Sequence, residues 1–391
     1  MAEERPARIA VLRLDLTDFR SYRQARLETD GRPVVLTGPN GAGKTNLLEA
    51  LSFLAPGRGL RRARLAEIDR SPDSAGEPGR AWAVAARLGG PAGEVAIGTG
   101  RAEGDRRLVR IDGQNVKGQA ALAQYLNLVW LTPQMDRLFQ EGAAPRRRFL
   151  DRLVFGYDPA HATRLAAYEQ ALRERARLLR LGGADPAWLG VLEDTMAREG
   201  VAVAASRREI AQRLDRASAQ VGAPDAFPVP RLAVTGAAEG WLAAMPALAA
   251  EDRLRAELAQ SRRIDAESGG AVLGPHRADL AVSHAGKDVE AERCSTGEQK
   301  ALLIAIVLAH ARLQAELRSV APVLLLDEVA AHLDSTRRRA LFAQLLALGS
   351  QAWLTGTDAI LFGDLGAKAH FFTVRDGMID PASSLAGGGS S

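Results

Sequence analysis

Short segments that alternate apolar with polar residues, or are apolar throughout, recur in the first part of the chain and predict β-strands there. They cover residues 9–16, 24–29, 33–37, 80–88, 94–100, 108–111 and 126–131. Turn residues separate several of these segments, so 80–111 is predicted to be a meander. Residues 69–79 are rich in Pro, Gly and Ser and predict a surface loop.

From about residue 145 to residue 263 the apolar positions follow the longer period of helices. Helices are predicted over 158–181, 186–221 and about 240–262, with a proline-rich interruption at 223–230. This insertion is too short and too interrupted for a long heptad array, so no long coiled coil is expected.

The last third alternates helices with buried strands. Helices are predicted over 295–317 and 335–348, and strands over 323–326 and 351–354. Such alternation is typical of an α/β fold. Residues 382–391 carry no periodicity and are expected to be disordered.

Composition excludes several classes of protein. With 47% hydrophobic and 25% charged residues, the chain can bury a core and is not a disordered protein. The net charge of +4 is modest, so any attraction to polyanions must come from local patches. A single cysteine excludes an internal disulfide framework. Neither a signal peptide nor a membrane span is evident, so a cytoplasmic protein without a membrane partner is expected.

Residues 38–45 match the pattern G-x-x-x-x-G-K-[ST] of a phosphate-binding loop, between a predicted strand and a predicted helix. Glycines let the backbone approach a phosphate, the lysine meets the β- and γ-phosphates, and the final hydroxyl coordinates Mg²⁺. The flanking strand and helix favour this interpretation over a glycine-rich surface turn. The predicted nucleotide-binding residues are Gly38, Pro39, Asn40, Gly41, Ala42, Gly43, Lys44 and Thr45.

Two carboxylates, Asp327 and Glu328, follow the apolar run 323–326, at the strand end where ligands bind in open α/β sheets. Asp327 is predicted to join Thr45 as a Mg²⁺ ligand, and Glu328 to orient or deprotonate the attacking water. Because this pair lies far along the chain from the loop, a large insertion must interrupt the nucleotide-binding core.

The order of these motifs, with Ser295-Thr296-Gly297-Glu298-Gln299 ahead of the acidic pair, resembles the ATP-binding-cassette ATPases. By itself this segment would be an ordinary helix N-cap. The resemblance implies ATP sandwiched between two head-to-head subunits, and therefore an ATP-dependent homodimer. It implies nucleotide contacts from Ser295, Gly297, Gln299 and the D-loop residue Asp334. It also implies that Gln134 contacts Mg²⁺ and takes part in catalysis, against the alternative of a plain helix N-terminus.

The same resemblance implies the domain organisation. An ABC-type P-loop ATPase head of the α/β class, lobe I, is assigned to residues 1–133 and 318–381. An inserted and mainly helical lobe II is assigned to 134–317, with the helical insertion at about 145–263 and the signature segment at 295–299.

One feature departs from the transporters of that family, which carry a histidine after the strand that follows the acidic pair. Here Thr355-Gly356-Thr357 offers hydroxyls, which can bind a phosphate but cannot supply a titratable cation. Slow hydrolysis, suited to a switch, is therefore expected, and whether the chain is an enzyme stays open.

Four further segments resemble the RecF family of bacterial recombination mediators. They are LDLTDFRSY (14–22), GRGLRR (57–62), PRRRFLD (145–151) and LGPHRADL (273–280). The resemblance implies an ATP-induced dimer that binds double-stranded or gapped DNA and, with RecR and RecO, helps to load RecA. It also implies a weak, DNA-stimulated ATPase. Glu328, where many relatives carry a second aspartate, is closer to the hydrolytic cassette enzymes.

Guanidinium groups that could meet DNA phosphates form two clusters. They are Arg58, Arg61, Arg62 and Arg64, and then Arg146, Arg147 and Arg148. A solvated or internally paired face is the competing interpretation for both clusters, and the second can instead brace the lobe interface. Aromatic residues are scarce near the clusters, so single-strand stacking is not supported.

Two other functions fit these motifs less well. The absent histidine and the long helical insertion disfavour an ATPase subunit of a transporter. A structural DNA clamp would bind ATP without hydrolysing it, and the role of Glu328 separates that alternative from the leading hypothesis of an ATP-switched repair protein.

Overall fold

The computed structural model describes residues 7–70, 80–102, 106–182, 185–220 and 226–382. Two compact units make up the chain: Met1–Met135 with Ala311–Ser391, and Asp136–His310. The predicted loop 69–79 lies outside the described residues except at its first two positions. The predicted disordered tail also lies outside them, except for Ala382, which ends a strand.

Seventeen β-strands and nine α-helices lie within the described ranges. The strands are β1 (Ala7–Arg8), β2 (Ala10–Phe19), β3 (Tyr22–Glu28), β4 (Val34–Thr37), β5 (Ala83–Gly90), β6 (Gly93–Ala102), β7 (Arg106–Ile111), β8 (Gln114–Asn115), β9 (Leu128–Leu131), β10 (Pro230–Thr235), β11 (Asp279–His284), β12 (Val289–Glu290), β13 (Val320–Ala321), β14 (Val323–Leu326), β15 (Ala352–Gly356), β16 (His370–Arg375) and β17 (Met378–Ala382). The helices are α1 (Lys44–Ser52), α2 (Ala143–Phe155), α3 (His161–Leu181), α4 (Pro186–Gln220), α5 (Ala237–Ala244), α6 (Ala247–Gln260), α7 (Arg262–Ser268), α8 (Thr296–Arg318) and α9 (Ser335–Leu348).

A mainly parallel sheet in the first unit positions the nucleotide motifs. Its strand order is β17-β16-β4-β15-β14-β9, and only β17 pairs in the antiparallel sense. Strands β4, β14 and β9 are buried along their whole length, as their continuous apolar sequences predict. Because β4 and β14 flank β15 and run parallel, residues 38–45 and 327–328 emerge at the same edge of the sheet.

A six-stranded antiparallel sheet of the first unit, β3-β2-β5-β6-β7-β8, confirms the predicted meander. Along β5, buried and exposed residues alternate, so one face of this sheet packs inward. That face shares a core with α1 and the first sheet, in which the rings of Phe19, Phe53 and Trp82 contact one another.

Helices α3, α4 and α6 form the core of the second unit, around Tyr168, Met196 and Leu254. Within this layer the buried guanidinium of Arg175 donates to Glu193 at 2.9 Å and to Asp265 at 2.7 Å. Pairing of this kind offsets part of the free-energy cost of taking the charges out of water. A three-stranded antiparallel sheet, β10-β11-β12, also belongs to this unit.

The prediction of one helix over about 240–262 is wrong, because three helices, α5, α6 and α7, cover this part of the chain. Met245 is extended and Pro246 caps α6, and proline has no N–H to continue a preceding helix. Strands β10, β11, β16 and β17 were not predicted, nor were the two-residue strands β1, β8, β12 and β13. Among the helices that the structure describes, none combines the length and the apolar character needed to span a bilayer.

Candidate nucleotide-binding site

The loop between β4 and α1 has a backbone that only glycine tolerates at several positions. Gly38, Gly41 and Gly43 have φ values of 146°, 81° and 110°, in the region where side chains are strained. A Cβ on Gly38 would lie 2.1 Å from the carbonyl oxygen of Val374, and one on Gly43 2.6 Å from the hydroxyl of Tyr22. The strand-loop-helix context that the motif requires is therefore present.

Lys44 is held over this loop at the start of α1. Its ammonium donates to the carbonyl oxygens of Gly38 and Pro39, both at 2.8 Å. Burial lowers the pKa of Lys44, and the nearby carboxylates of Glu328 and Asp327 oppose that shift. Two backbone carbonyls thus hold the ammonium beside the loop, where the pattern places the β- and γ-phosphates.

The Thr45 hydroxyl and the Asp327 carboxylate meet at the edge of the sheet. Thr45 Oγ1 donates to Asp327, at 3.0 Å from Oδ1 and 3.1 Å from Oδ2. Asp327 is buried, and it accepts a second hydroxyl, that of Thr355, at 2.7 Å. Burial raises the pKa of Asp327, while the hydrogen bonds from Thr355 and Thr45 act in the opposite direction.

Glu328 follows Asp327 in a strained backbone conformation. Its φ of 52° and ψ of 22° are left-handed, a region that non-glycine residues adopt at a cost of about 1–3 kcal/mol. Its N–H donates to the hydroxyl of Thr355 at 2.9 Å. This left-handed conformation turns the chain at the end of β14, immediately after the buried Asp327.

These side chains fit a magnesium ion bound to phosphates better than an ion caged by protein alone. Mg²⁺ takes oxygen ligands and commonly uses one or two protein groups together with phosphates and waters. Thr45 and Asp327 supply one hydroxyl and one carboxylate. Within the described part of the chain, no group of three or more His, Cys, Asp or Glu residues could hold a metal by itself.

The segment resembling a cassette signature begins helix α8 in the second unit. Ser295 and Glu298 form a capping box: Ser295 N–H donates to Glu298 Oε2 at 3.0 Å, and Glu298 N–H donates to Ser295 Oγ at 3.3 Å. The Lys287 ammonium also donates to Glu298, and these contacts lower the pKa of Glu298 to about 2. Ser295 and Gly297 are exposed, whereas Gln299 is buried and donates to the carbonyl oxygens of Glu292 and Cys294.

The remaining predicted site residues belong to the first unit. Gln134 is exposed in the 3-10 turn Pro133–Arg137. Asp334 caps α9 by accepting from the N–H of Arg337 at 2.8 Å. Contacts of Gln134, Asp334 and the signature segment with nucleotide stay predictions.

The two arginine clusters differ in how many of their side chains the fold already uses. In the first, Arg61 donates to Asn46 and to the buried Glu49 of α1, both at 2.8 Å. Three other members are exposed: Arg58, Arg62 and Arg64.

In the second cluster, two of the three guanidinium groups are internally engaged. Arg146 donates to Asp279 at 2.8 and 2.6 Å, and Arg147 donates to the carbonyl oxygen of Ala278 at 2.6 Å. Arg148 is exposed. Both arginines and their partners belong to the second unit, so these contacts favour the internally paired interpretation for Arg146 and Arg147. Bracing of the lobe interface and contact with DNA stay predictions.

Sequence reasoning missed the Thr355 hydroxyl as part of the site. Thr355 was expected at most to bind a phosphate, but its buried hydroxyl is bonded to Asp327 and to the Glu328 N–H. The exposed side chain there is that of Thr357. A threonine in an otherwise apolar strand, AWLTG, was the only available signal.

Comparison with known proteins places the chain in one family. Residues 10–357 match the family model described as "RecF/RecN/SMC N terminal domain". The DNA replication and repair protein RecF of Rhizobium johnstonii is 49% identical over 377 residues, which cover 96% of this chain and 99% of the relative. That of Allorhizobium ampelinum is 50% identical over 370 residues, covering 94% and 97%.

Solved structures agree at the level of the fold. One described as the recombination mediator protein RecF-ATPrS in the RecFOR pathway superposes with a TM-score of 0.83 at 21% identity, covering 98% of this chain and 100% of the other. An Smc head domain from Pyrococcus furiosus reaches 0.53 at 18% identity, with 96% and 97% covered. On the strength of the sequence matches, the chain belongs to the RecF family of DNA replication and repair proteins.

Proposed function

We propose that this chain is an ATP-switched DNA-binding protein of recombinational repair, which dimerises with ATP bound and then binds double-stranded or gapped DNA. The observation that carries the proposal is the bonded pair of Thr45 and Asp327 beside a glycine loop, in a chain 49% identical to RecF proteins. A hydroxyl and a carboxylate in this arrangement are the protein ligands of a magnesium nucleotide.

Each group at the loop has a distinct part in binding. The loop amides and Lys44 bind the phosphates, and Thr45 with Asp327 holds Mg²⁺, with Gln134 as a further candidate ligand. When bound, Mg²⁺ neutralises charge on the β- and γ-phosphates. The Lys44 ammonium has three N–H donors, of which two meet the carbonyl oxygens of Gly38 and Pro39, so the third can donate to a phosphate oxygen.

Hydrolysis is proposed to be slow, with Glu328 orienting the attacking water. The short strand segment that ends with Thr357 carries no histidine, so no imidazolium is available there to stabilise the γ-phosphate. A bound nucleotide that turns over slowly acts as a switch.

Dimerisation is proposed to complete each site from the other copy. Ser295 and Gly297 are exposed at the first turn of α8, where the positive end of the helix dipole favours an anion. The capping box keeps that turn in place. In the dimer this turn would face the phosphates held by the partner copy.

DNA phosphates are proposed to meet exposed guanidinium groups, with Arg58, Arg64 and Arg148 as the strongest candidates. The Arg64 side chain is 85% exposed, and solvent weakens its 4.0 Å ion pair to Glu67. RecR and RecO are proposed as cytoplasmic partners and RecA as an indirect one, in keeping with the pathway named for the solved RecF structure.

The test is fluorescence anisotropy of a labelled DNA duplex titrated with the protein, with ATP and Mg²⁺, with ADP, or without nucleotide. We expect binding at least about tenfold tighter with ATP, and loss of that difference in Lys44→Ala. Equal affinity in all three conditions would overturn the proposal.

A further inference from the structure

We propose that Thr355 is a positioning residue for ATP hydrolysis, whose single hydroxyl holds the Asp327 carboxylate and the Glu328 backbone amide in their working arrangement. The inference rests on the proposed function, because it assigns the two acidic residues to a magnesium nucleotide. It concerns a residue of the neighbouring strand that lies outside both motifs.

The position of Thr355 follows from strand register. Strands β14 and β15 pair in parallel, with Leu324 opposite Ala352 and Leu326 opposite Leu354. One step further along this register places Thr355 beside Asp327. A side chain at this position therefore lies next to the residues that follow β14.

The hydroxyl is used in both of its capacities. It donates to Asp327 Oδ1 at 2.7 Å and accepts from the Glu328 N–H at 2.9 Å. Thr355 is 1% exposed, so water cannot replace either bond without entering the core. One oxygen atom therefore joins the metal-binding carboxylate to the backbone of the residue proposed to act on water.

The hydrogen bond from the Glu328 N–H to Thr355 matters most, because the backbone of Glu328 is in the left-handed conformation. A residue with a β-carbon is strained at the φ of 52° that Glu328 adopts, so its backbone relaxes to another conformation unless neighbouring groups hold it. The Thr355 oxygen is the acceptor for the N–H of this residue, so it fixes the peptide plane from which the Glu328 side chain projects. Displacing a catalytic carboxylate by about 1 Å can cost roughly a hundredfold in rate.

The experiment compares Thr355→Val, which removes the hydroxyl at nearly constant shape, with Thr355→Ser, which keeps it. Thr99→Val is the matched control, since the buried Thr99 hydroxyl also donates and accepts once, to Leu108 and from Arg107, in the other sheet of the first unit. Two quantities are measured in the full chain. One is amide hydrogen exchange at Glu328 without nucleotide, and the other is single-turnover ATP hydrolysis at varied protein excess.

For Thr355→Val we expect exchange at Glu328 about tenfold faster and a maximal hydrolysis rate lower by roughly tenfold to a hundredfold. The protein concentration for half-maximal rate should change less than about threefold. Thr355→Ser should restore the rate and the protection to within about threefold of wild type, and Thr99→Val should leave both unchanged. If Thr355→Val does not fold, Thr355→Ala is held to the same criteria.

Three results would each overturn the proposal. They are an exchange rate at Glu328 in Thr355→Val equal to that of wild type, a hydrolysis rate in Thr355→Ser as low as in Thr355→Val, and an equal loss of hydrolysis rate in Thr99→Val. A wild-type chain that binds no ATP would instead overturn the proposed function. The exchange measurement needs no nucleotide and would still decide whether Thr355 holds Glu328.

Discussion

The hydroxyl of Thr45 lies 3.0 Å from Oδ1 and 3.1 Å from Oδ2 of Asp327, although 282 residues separate the two in sequence. The second unit and part of the first are inserted between them. A contact of this kind requires the ends of β4 and β14 to be held at one sheet edge, which the intervening strand β15 does. The nucleotide-binding core is therefore continuous in space although it is interrupted in the chain.

Asp327→Asn should weaken the dependence of ATP affinity on Mg²⁺. The amide keeps the shape of the carboxylate but not its charge, so we expect Mg²⁺ to tighten ATP binding at least about tenfold less than in wild type. Titration of a fluorescent ATP analogue with Mg²⁺ and with EDTA measures this. The control is Asp252→Asn, at an exposed ion pair with Arg255. An undiminished Mg²⁺ effect in Asp327→Asn would remove Asp327 from the metal site.

Glu328→Gln should stop hydrolysis while leaving the ATP-bound dimer intact. The amide cannot accept a proton, and loss of a general base typically costs about a hundredfold to ten-thousandfold in rate. Phosphate release and particle mass are measured on the same sample. Phosphate release that is equally negligible in wild type and Glu328→Gln would instead support the structural clamp, which binds ATP without hydrolysing it.

Replacing the exposed arginines should weaken DNA binding in a salt-dependent way. Arg58→Ala, Arg64→Ala and Arg148→Ala are each expected to reduce the slope of log affinity against log salt by about one, if that residue neutralises one phosphate. The control is Arg177→Ala on α3, an exposed arginine already paired with Glu174. Slopes equal to wild type in all three variants would place the DNA surface elsewhere.

Asp151→Asn should be strongly destabilising, because it breaks a buried ion pair. Asp151 accepts from Arg207 at 2.7 Å on both oxygens and from His161 at 2.8 Å. Burial alone would raise the pKa of Asp151, but these partners outweigh it and lower the pKa. The free energy of unfolding in urea should fall by about 3–5 kcal/mol, against less than about 0.5 kcal/mol for the exposed Asp252→Asn. A loss of unfolding free energy as small as that of the control would show that the pair of Asp151 and Arg207 does not stabilise the fold.

His310 should make the stability of the protein depend on pH. Burial lowers the pKa of His310 to about 4; the Leu153 carbonyl that accepts from its ring opposes this shift, and Arg152 adds to it. Since the unfolded chain takes up the proton near its ordinary pKa of 6.5, stability is complete above that value. It falls as the pH drops from about 6.5 to about 4.

The difference between wild type and His310→Gln isolates this effect from other buried groups, such as Glu239, whose pKa burial raises. The free energy of unfolding is measured for both proteins at pH 7 and pH 5. Below pH 6.5, wild type should lose up to about 1.4 kcal/mol per pH unit more than His310→Gln. Parallel profiles for the two proteins would mean that His310 does not remain neutral in the folded chain.

The features that local sequence predicts well are those built from neighbouring residues. The phosphate-binding loop, the strand β14 before Asp327 and the helix α9 with its Asp334 cap all have their determinants within a few positions. Periodicity and turn chemistry read such determinants directly. For the same reason the glycine loop and the acidic pair indicate nucleotide binding from their residue patterns alone.

The features that sequence did not predict depend on distant partners. Thr355 takes its role from the register of β15 against β14, which no local pattern encodes. Strand β10 pairs with β11, although helices α5, α6 and α7 lie between the two strands in the sequence. Its first residue is Pro230, and proline argues against a strand. The arginines of PRRRFLD also look alike in sequence, and only their partners separate Arg146 from the exposed Arg148.

Light scattering of the purified protein with ATP, with ADP and without nucleotide, each with and without duplex DNA, tests the switch most directly. Twice the mass of one chain is expected with ATP, and the mass of one chain with ADP or no nucleotide. Ser295→Arg should remain a single chain in every condition. A wild-type protein that stays a single chain with both ATP and DNA at high concentration would contradict the ATP-dependent dimer.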